Sequence, residues 1–166
     1  MRILIAGVGN VLRGDDGFGI EALRLLQHNI DGVEFFESGI AGISLVQRLM
    51  DGFDALVIID ALNRGGAPGQ VYVLEPDLES LGKENANSET IDLHQADPEG
   101  VLRLANALRA LPKHVWIVGC QAVGCDDLEA PLSEPVARAV PVAVEQIQKI
   151  VGNLLSDSTP HAERRS

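Results

Sequence analysis

Cysteine, aromatic residues and cationic side chains are all scarce in this sequence. The two cysteines, Cys120 and Cys125, are too few for a disulfide framework, so we expect a protein of the reducing cytoplasm. Cys120 falls inside an apolar run, which is typical of a buried structural thiol.

Aromatic residues make up 4% of the chain, too little for platforms that stack single-stranded nucleic acid. Thirteen lysines and arginines against 24 acids give a net charge of −11, which repels phosphate backbones. We therefore expect no nucleic-acid partner.

The chain also opens without a long hydrophobic run. The apolar stretch in MRILIAGVGN is too short for a signal peptide or a membrane span, and it is more typical of a first strand. We therefore expect no membrane partner. The 166 residues, 46% of them hydrophobic, are enough for one compact domain. We predict that this domain spans residues 1–155 and that residues 156–166 form a flexible polar tail.

Strand patterns alternate with helical patterns along the sequence. Short, continuous apolar runs typical of buried strands occur at RILIAGVG and DALVIIDA. VEFFES and HVWIVGCQAV are also predicted strands, and GQVYVLEP, which follows a turn cluster, is a predicted strand near an edge of the sheet. Helical spacing of apolar residues occurs in DDGFGIEALRLLQHN, GISLVQRLMDG, DPEGVLRLANALRAL and SEPVARAVPVAVEQIQKIVGNLL. This order predicts an α/β fold with a single doubly wound, mostly parallel twisted sheet and helices on both faces.

A glycine-rich segment, GVGNVLRGDDGFG at residues 7–19, follows the first predicted strand. A dinucleotide-binding loop needs a third glycine where this chain has Leu12, and no Gly-Lys-Ser/Thr follows for a phosphate loop. Asp15 and Asp16 would also repel a phosphate from the helix amino terminus. A nucleotide site is thus disfavoured. The purely structural alternative is that Asp15 caps the helix and Asp16 interacts favourably with its dipole.

A second acid, Asp60, ends the apolar run ALVIID. Ligands of open α/β sheets bind beyond the carboxyl ends of the strands, so we expect Asp16 and Asp60 to face one crevice. Among the four histidines, His94 lies in the polar loop of residues 77–97, just before a helix, and can reach over that crevice. Two carboxylates and an imidazole suit a divalent metal such as nickel or zinc and leave coordination positions open. A loop histidine with no ligand role is the structural alternative.

These motifs together resemble those of the hydrogenase maturation endopeptidases. GVGNVLRGDDGFG is similar to the amino-terminal motif of that family, and the likeness continues in the same order through ALVIIDA, HQADPEGVLRLANALRAL, WIVGC and LSEPV. It covers nearly the whole chain up to Ser156. Two positions depart from the pattern. Asp16 stands where well-known members carry glutamate, and Gln121 stands where glutamate is often expected.

The resemblance implies an aspartic-type endopeptidase that removes the carboxyl-terminal extension of a nickel-iron hydrogenase large-subunit precursor after recognising its inserted nickel. It also implies that Asp16, Asp60 and His94 are the catalytic and metal-contacting residues, with nickel supplied in the precursor rather than held permanently. We expect the Asp16 or Asp60 carboxylate to activate water for attack on a nickel-polarised carbonyl. The sequence has no H-E-x-x-H zinc motif and no convincing G-x-S-x-G elbow. The alternative is a non-catalytic chaperone that binds the same precursor.

Overall fold

The sheet has five strands, four of them parallel. The computed structural model describes residues 1–26, 30–40, 42–82, 98–123 and 128–157. The strands are β1 (Ile3–Val8), β2 (Val33–Gly39), β3 (Ala55–Leu62), β4 (Val71–Leu74) and β5 (His114–Gln121). Their spatial order is β2-β1-β3-β5-β4, and only the edge strand β4 is antiparallel to its neighbour. The predicted doubly wound, mostly parallel sheet is confirmed.

Within the described ranges, four helices cover the two faces of this sheet. They are α1 (Phe18–Leu26), α2 (Gly42–Leu49), α3 (Pro98–Ala107) and α4 (Glu134–Asp157). Helices α1 and α4 pack together on one face, and α2 and α3 pack together on the other. Short 3-10 turns are present at Gly14–Gly17 and Ser80–Gly82. Across the described parts of the chain, no helix is long and apolar enough to cross a membrane.

The central strands are apolar without interruption because helices cover both of their faces. Successive side chains of a strand point to opposite faces. In β3, Val57 and Ile59 pack in the core with α1 and α4, whereas Leu56 and Ile58 pack in the core with α2 and α3. All four are fully buried. This two-sided burial explains why no polar alternation marks β1 or β3 in the sequence.

Several helix boundaries differ from the sequence prediction. The first helix begins at Phe18 rather than Asp15, because the two acids lie in the preceding 3-10 turn. The second helix ends at Leu49 rather than at Gly52, which has a φ of 82° and closes the turn that follows. The last helix runs to Asp157, two residues beyond the predicted domain limit. Residues 158–166, the rest of the predicted flexible tail, lie outside the described residues.

The direction of strand addition reverses between β1 and β3. The chain passes from β1 outward to β2, then returns to the other side of β1 to form β3. Such a reversal is a topological switch point, and it opens a crevice at the carboxyl ends of the two strands. The last residue pair between them is Gly7 with Ile59. Asp60 is therefore the first residue of β3 beyond its pairing with β1.

Candidate active site

The turn after β1 folds back so that Asp16 lies directly over Gly9. A Cβ atom added to Gly9 would lie 1.8 Å from the carbonyl oxygen of Asp16, and Gly9 has a φ of 123°. The backbone N–H of Asn10 donates to the Asp16 carbonyl oxygen at 3.2 Å and to its Oδ2 at 3.0 Å. Only glycine permits this close return of the chain. The half-buried Asp16 side chain is thereby held at the end of β1.

The first turn of α1 lies against the ends of both strands at the switch point. A Cβ atom added to Gly19 would lie 2.2 Å from the Ile59 carbonyl oxygen and 2.3 Å from that of Val8. Gly19 therefore lets the helix backbone touch β1 and β3 at the same time. Because Ile59 immediately precedes Asp60, this contact brings the turn that carries Asp16 to the same strand end as Asp60.

Asp60 is a buried carboxylic acid at the switch point, with 6% of its surface exposed. It is paired with Gly119 of β5 in the strand register. The alternation along β3 puts its side chain on the same face as Leu56 and Ile58, which is the face covered by α2 and α3. Asp16 arrives from the turn that leads into α1. Asp16 and Asp60 thus reach the carboxyl ends of β1 and β3 from two different elements. That both side chains face one crevice stays a prediction.

Asp15 does not cap a helix, contrary to the structural alternative. Its side chain is 2% exposed and points across to the segment that follows β5. Oδ2 accepts hydrogen bonds from the Val123 backbone N–H at 2.9 Å and the Ser133 hydroxyl at 3.0 Å, and Oδ1 accepts from the Ser133 backbone N–H at 2.7 Å. These three donors compensate the burial of the carboxylate. Sequence reasoning missed this bridge because its partners lie more than 100 positions away.

Gln121 has a structural role at the end of β5. Its Oε1 accepts hydrogen bonds from the backbone N–H groups of Arg64 and Gly66, at 2.8 and 3.2 Å. Its Nε2 donates to Asn63 Oδ1 and to the Ala122 carbonyl oxygen, both at 3.1 Å. An ionised glutamate could not make the two donor bonds. The amide at this position therefore holds the loop that follows β3.

Cys120 is a fully buried free thiol, as predicted. Burial, and secondarily the negative charge of Asp15, raise the pKa of the Cys120 thiol to about 11. A thiol with this pKa is protonated at neutral pH and is neither a nucleophile nor a ready metal ligand.

The remaining residues singled out in the sequence are not brought to this crevice by the described structure. His94, His28, Cys125 and His161 lie outside the described residues. His114 is the first residue of β5, so it lies at the amino ends of the parallel strands, away from the carboxyl ends that form the crevice. Its ring stacks with that of Trp116, with 6.0 Å between the ring centroids. In the described ranges, no three histidine, cysteine, aspartate or glutamate side chains form a metal-binding group. Carboxylates such as the two acids at the switch point are in general able to ligate a divalent metal through oxygen and to accept a proton from water.

Comparisons with known proteins place this chain in a family. The model of the hydrogenase maturation protease family matches residues 20–150, a range that begins after Asp16 and includes Asp60 and His94. The chain is 34% identical over 174 residues to the hydrogenase expression/formation protein HupD of Thiocapsa roseopersicina, covering 96% of this chain and 76% of that protein.

Solved structures show the same architecture. The hydrogenase maturating endopeptidase HybD from E. coli superposes with a TM-score of 0.75 at 26% identity, covering 92% of this chain and 93% of that one. The NiFe hydrogenase maturation protease HybD from Thermococcus kodakarensis gives a TM-score of 0.68 at 31% identity, covering 90% and 99%.

The fold and these likenesses define an α/β peptidase. More particularly, the chain belongs to the hydrogenase maturation protease family. The resemblance drawn from the sequence motifs is confirmed.

Proposed function

We propose that this peptidase removes the carboxyl-terminal extension of a nickel-iron hydrogenase large-subunit precursor after the precursor has received its nickel. The observation that carries the proposal is the pair of acids at one switch point, Asp16 after β1 and Asp60 in β3. Ligands of open α/β sheets bind at such points. The names of its relatives, which are hydrogenase maturation proteins, agree with this substrate.

Nickel is part of the substrate in this proposal, and three side chains contact it. Asp16 and Asp60 contribute oxygen atoms, and His94 contributes an imidazole nitrogen, a donor set that suits a divalent metal such as nickel. Only four chain steps separate His94 from Pro98, the first residue of α3, so their Cα atoms are at most about 15 Å apart. Helix α3 covers the face of the sheet to which Asp60 points. This short distance along the chain supports His94 as the third ligand.

The proposed chemistry is hydrolysis of an aspartic type assisted by the nickel of the substrate. The Asp16 or Asp60 carboxylate takes a proton from a water molecule, and the water oxygen attacks the carbonyl carbon of the scissile bond. The nickel polarises that carbonyl. The carbon–nitrogen bond then breaks, and the proton passes to the leaving amine. The extension leaves as a peptide, and the precursor keeps its nickel.

Two substitutions of aspartate by asparagine, one in β3 and one just before it, test this assignment. Asp60→Asn keeps the size of the side chain and removes the charge, and we expect it to abolish cleavage of the nickel-loaded precursor. Asp54→Asn is the matched control, because Asp54 lies exposed just before the amino end of β3 and its Oδ2 only accepts the Arg2 backbone N–H at 2.7 Å. An asparagine oxygen can accept the same bond, so this variant should cleave like the wild type. An Asp60→Asn protein that folds and cleaves at the wild-type rate would refute the role of Asp60.

We place the reaction in the cytoplasm, because the chain has too few cysteines for an oxidising compartment and its Cys120 is a buried free thiol. The alternative of a non-catalytic chaperone predicts binding of the precursor without any change in its mass. Membership of a peptidase family favours the enzyme.

A further inference from the structure

Asp15 is a buried carboxylic acid that the proposed chemistry does not use. Its side chain is 2% exposed, and its carboxylate accepts hydrogen bonds from the Val123 backbone N–H, the Ser133 backbone N–H and the Ser133 hydroxyl, at 2.9, 2.7 and 3.0 Å. We call these three hydrogen bonds the Asp15 bridge. A buried polar network whose members are all hydrogen-bonded fixes one arrangement of the chain around it. The bridge therefore fixes the residues that adjoin Asp15.

The residue that follows Asp15 is Asp16. Both belong to the 3-10 turn Gly14–Gly17, and consecutive Cα atoms are only about 3.8 Å apart. On the side facing β1, Asp16 accepts the Asn10 N–H, at 3.2 Å through its carbonyl oxygen and at 3.0 Å through Oδ2. Asp16 is thus held between Asn10 and the Asp15 bridge.

The far end of the Asp15 bridge is anchored at the start of α4. Ser133 immediately precedes that helix, and its carbonyl oxygen accepts the Ala137 N–H at 2.8 Å. Helix α4 packs against α1, which follows the 3-10 turn directly. The Gly14 N–H also donates to the Ala130 carbonyl oxygen at 3.1 Å, close to the bridge along both segments. The turn that carries Asp16 is therefore fastened to the two helices that cover one face of the sheet.

We propose that Asp15 is a positioning residue, whose bridge holds the Asp16 carboxylate in the place from which it acts on the substrate. Asp15 does not itself touch the substrate, because its carboxylate is buried and is occupied by Val123 and Ser133. The effect on cleavage rests on the proposed function, whereas the placement of Asp16 is a property of the protein without substrate. A displacement of about 1 Å can slow a reaction by about a hundredfold, so loosening the bridge lowers kcat.

Four variants of the full chain test the proposal. Asp15→Asn leaves a backbone N–H of the bridge facing an amide NH₂ group, Ser133→Ala removes the hydroxyl donor, and Ser133→Thr keeps it. Leu154→Ala is the stability-matched control. Leu154 is 7% exposed in the core that α4 forms with α1, about 30 Å along α4 from Ser133, so its truncation destabilises the fold without touching the turn.

Two readouts separate positioning from a general loss of stability. The first is the hydrogen-exchange rate of the Asn10 N–H in the free protein, measured by NMR, because this group is bonded to Asp16. The second is kcat from intact-mass time courses with saturating nickel-loaded precursor, at a temperature where circular dichroism shows every variant folded.

We expect Asp15→Asn to speed exchange of the Asn10 N–H, and to lower kcat, by about tenfold or more relative to Leu154→Ala. Ser133→Ala should shift both quantities in the same direction by less, since it removes one donor of three. Ser133→Thr should stay within about twofold of the wild type in both, because the hydroxyl is retained.

Equal exchange rates and equal kcat for Asp15→Asn and Leu154→Ala would overturn the proposal, because Asp15 would then act only through overall stability. A change in one readout without the other would also overturn it, since the proposal joins the placement of Asp16 to the rate. If the wild type never shortens the nickel-loaded precursor, the proposed function fails, and the exchange of the Asn10 N–H still decides whether Asp15 places Asp16.

Discussion

The replacement of Gly19 by alanine tests how the site is held against the sheet. The new Cβ atom would lie 2.2 Å from the Ile59 carbonyl oxygen and 2.3 Å from that of Val8, and both oxygens are backbone atoms of buried strands. The helix can relieve these contacts only by moving about 1 Å away from β1 and β3. Overpacking of a core typically costs about 1–3 kcal/mol. Two backbone contacts put the cost near the upper end of that range.

Alanine also favours the helix by about 1 kcal/mol over glycine. We therefore expect a net loss of about 2 kcal/mol in the free energy of unfolding. Urea denaturation followed by circular dichroism measures this quantity. We also expect slower cleavage of the precursor, because the same displacement moves Asp16 away from Asp60.

Gly152→Ala is the matched control for this substitution. Gly152 is exposed within α4, and a Cβ atom added there meets no other atom within 4 Å. The same chemical change should thus stabilise the protein by about 0.5–1 kcal/mol. The two variants should differ in the sign of their effect. A Gly19→Ala protein as stable as the wild type would refute the close contact between α1 and the strand ends.

The remaining predictions concern the buried groups beside the crevice. Asp15→Asn leaves at least one backbone N–H, that of Val123 or of Ser133, facing an amide NH₂ group, so we expect a loss of about 2–3 kcal/mol in urea denaturation; a loss below about 0.5 kcal/mol would contradict the bridge. Cys120 has a folded-state pKa of about 11 against an ordinary value of 9.0, so its contribution to stability is present below pH 9 and is lost as the pH rises towards 11. The stability difference between the wild type and Cys120→Ala should therefore fall by at most about 2–3 kcal/mol between pH 8 and pH 11. A constant difference would show that the pKa of Cys120 is not raised.

The order and type of the elements could be predicted from the sequence because the signals are local. A continuous apolar run such as ALVIID indicates a strand with both faces covered, and the structure has β3 there. The turn cluster before VYVL indicates an edge position, and β4 is one of the two edge strands of the sheet. The prediction that Asp16 and Asp60 share one crevice rests on strand order, since Asp16 follows β1 and Asp60 lies near the carboxyl end of the neighbouring parallel strand β3.

The contacts between distant segments could not be predicted in the same way. Asp15 and Asp16 are adjacent and chemically identical, but one bridges to Ser133 and the other lies over Gly9. No local pattern distinguishes them, because the difference arises from packing of the segment after β5 against the turn after β1. Gln121 is a second example: the sequence shows only that it stands where glutamate is often expected, and its structural role is visible only from its partners in the loops after β3 and β5.

The measurement that tests the account most directly is the intact mass of a cognate hydrogenase large-subunit precursor before and after incubation with this protein, with and without nickel in the precursor. The account predicts the loss of one carboxyl-terminal peptide from the nickel-loaded precursor and no change in the nickel-free one. Cleavage of both forms at the same rate would contradict nickel recognition by Asp16, Asp60 and His94. An unchanged mass in both would contradict the proposed reaction itself.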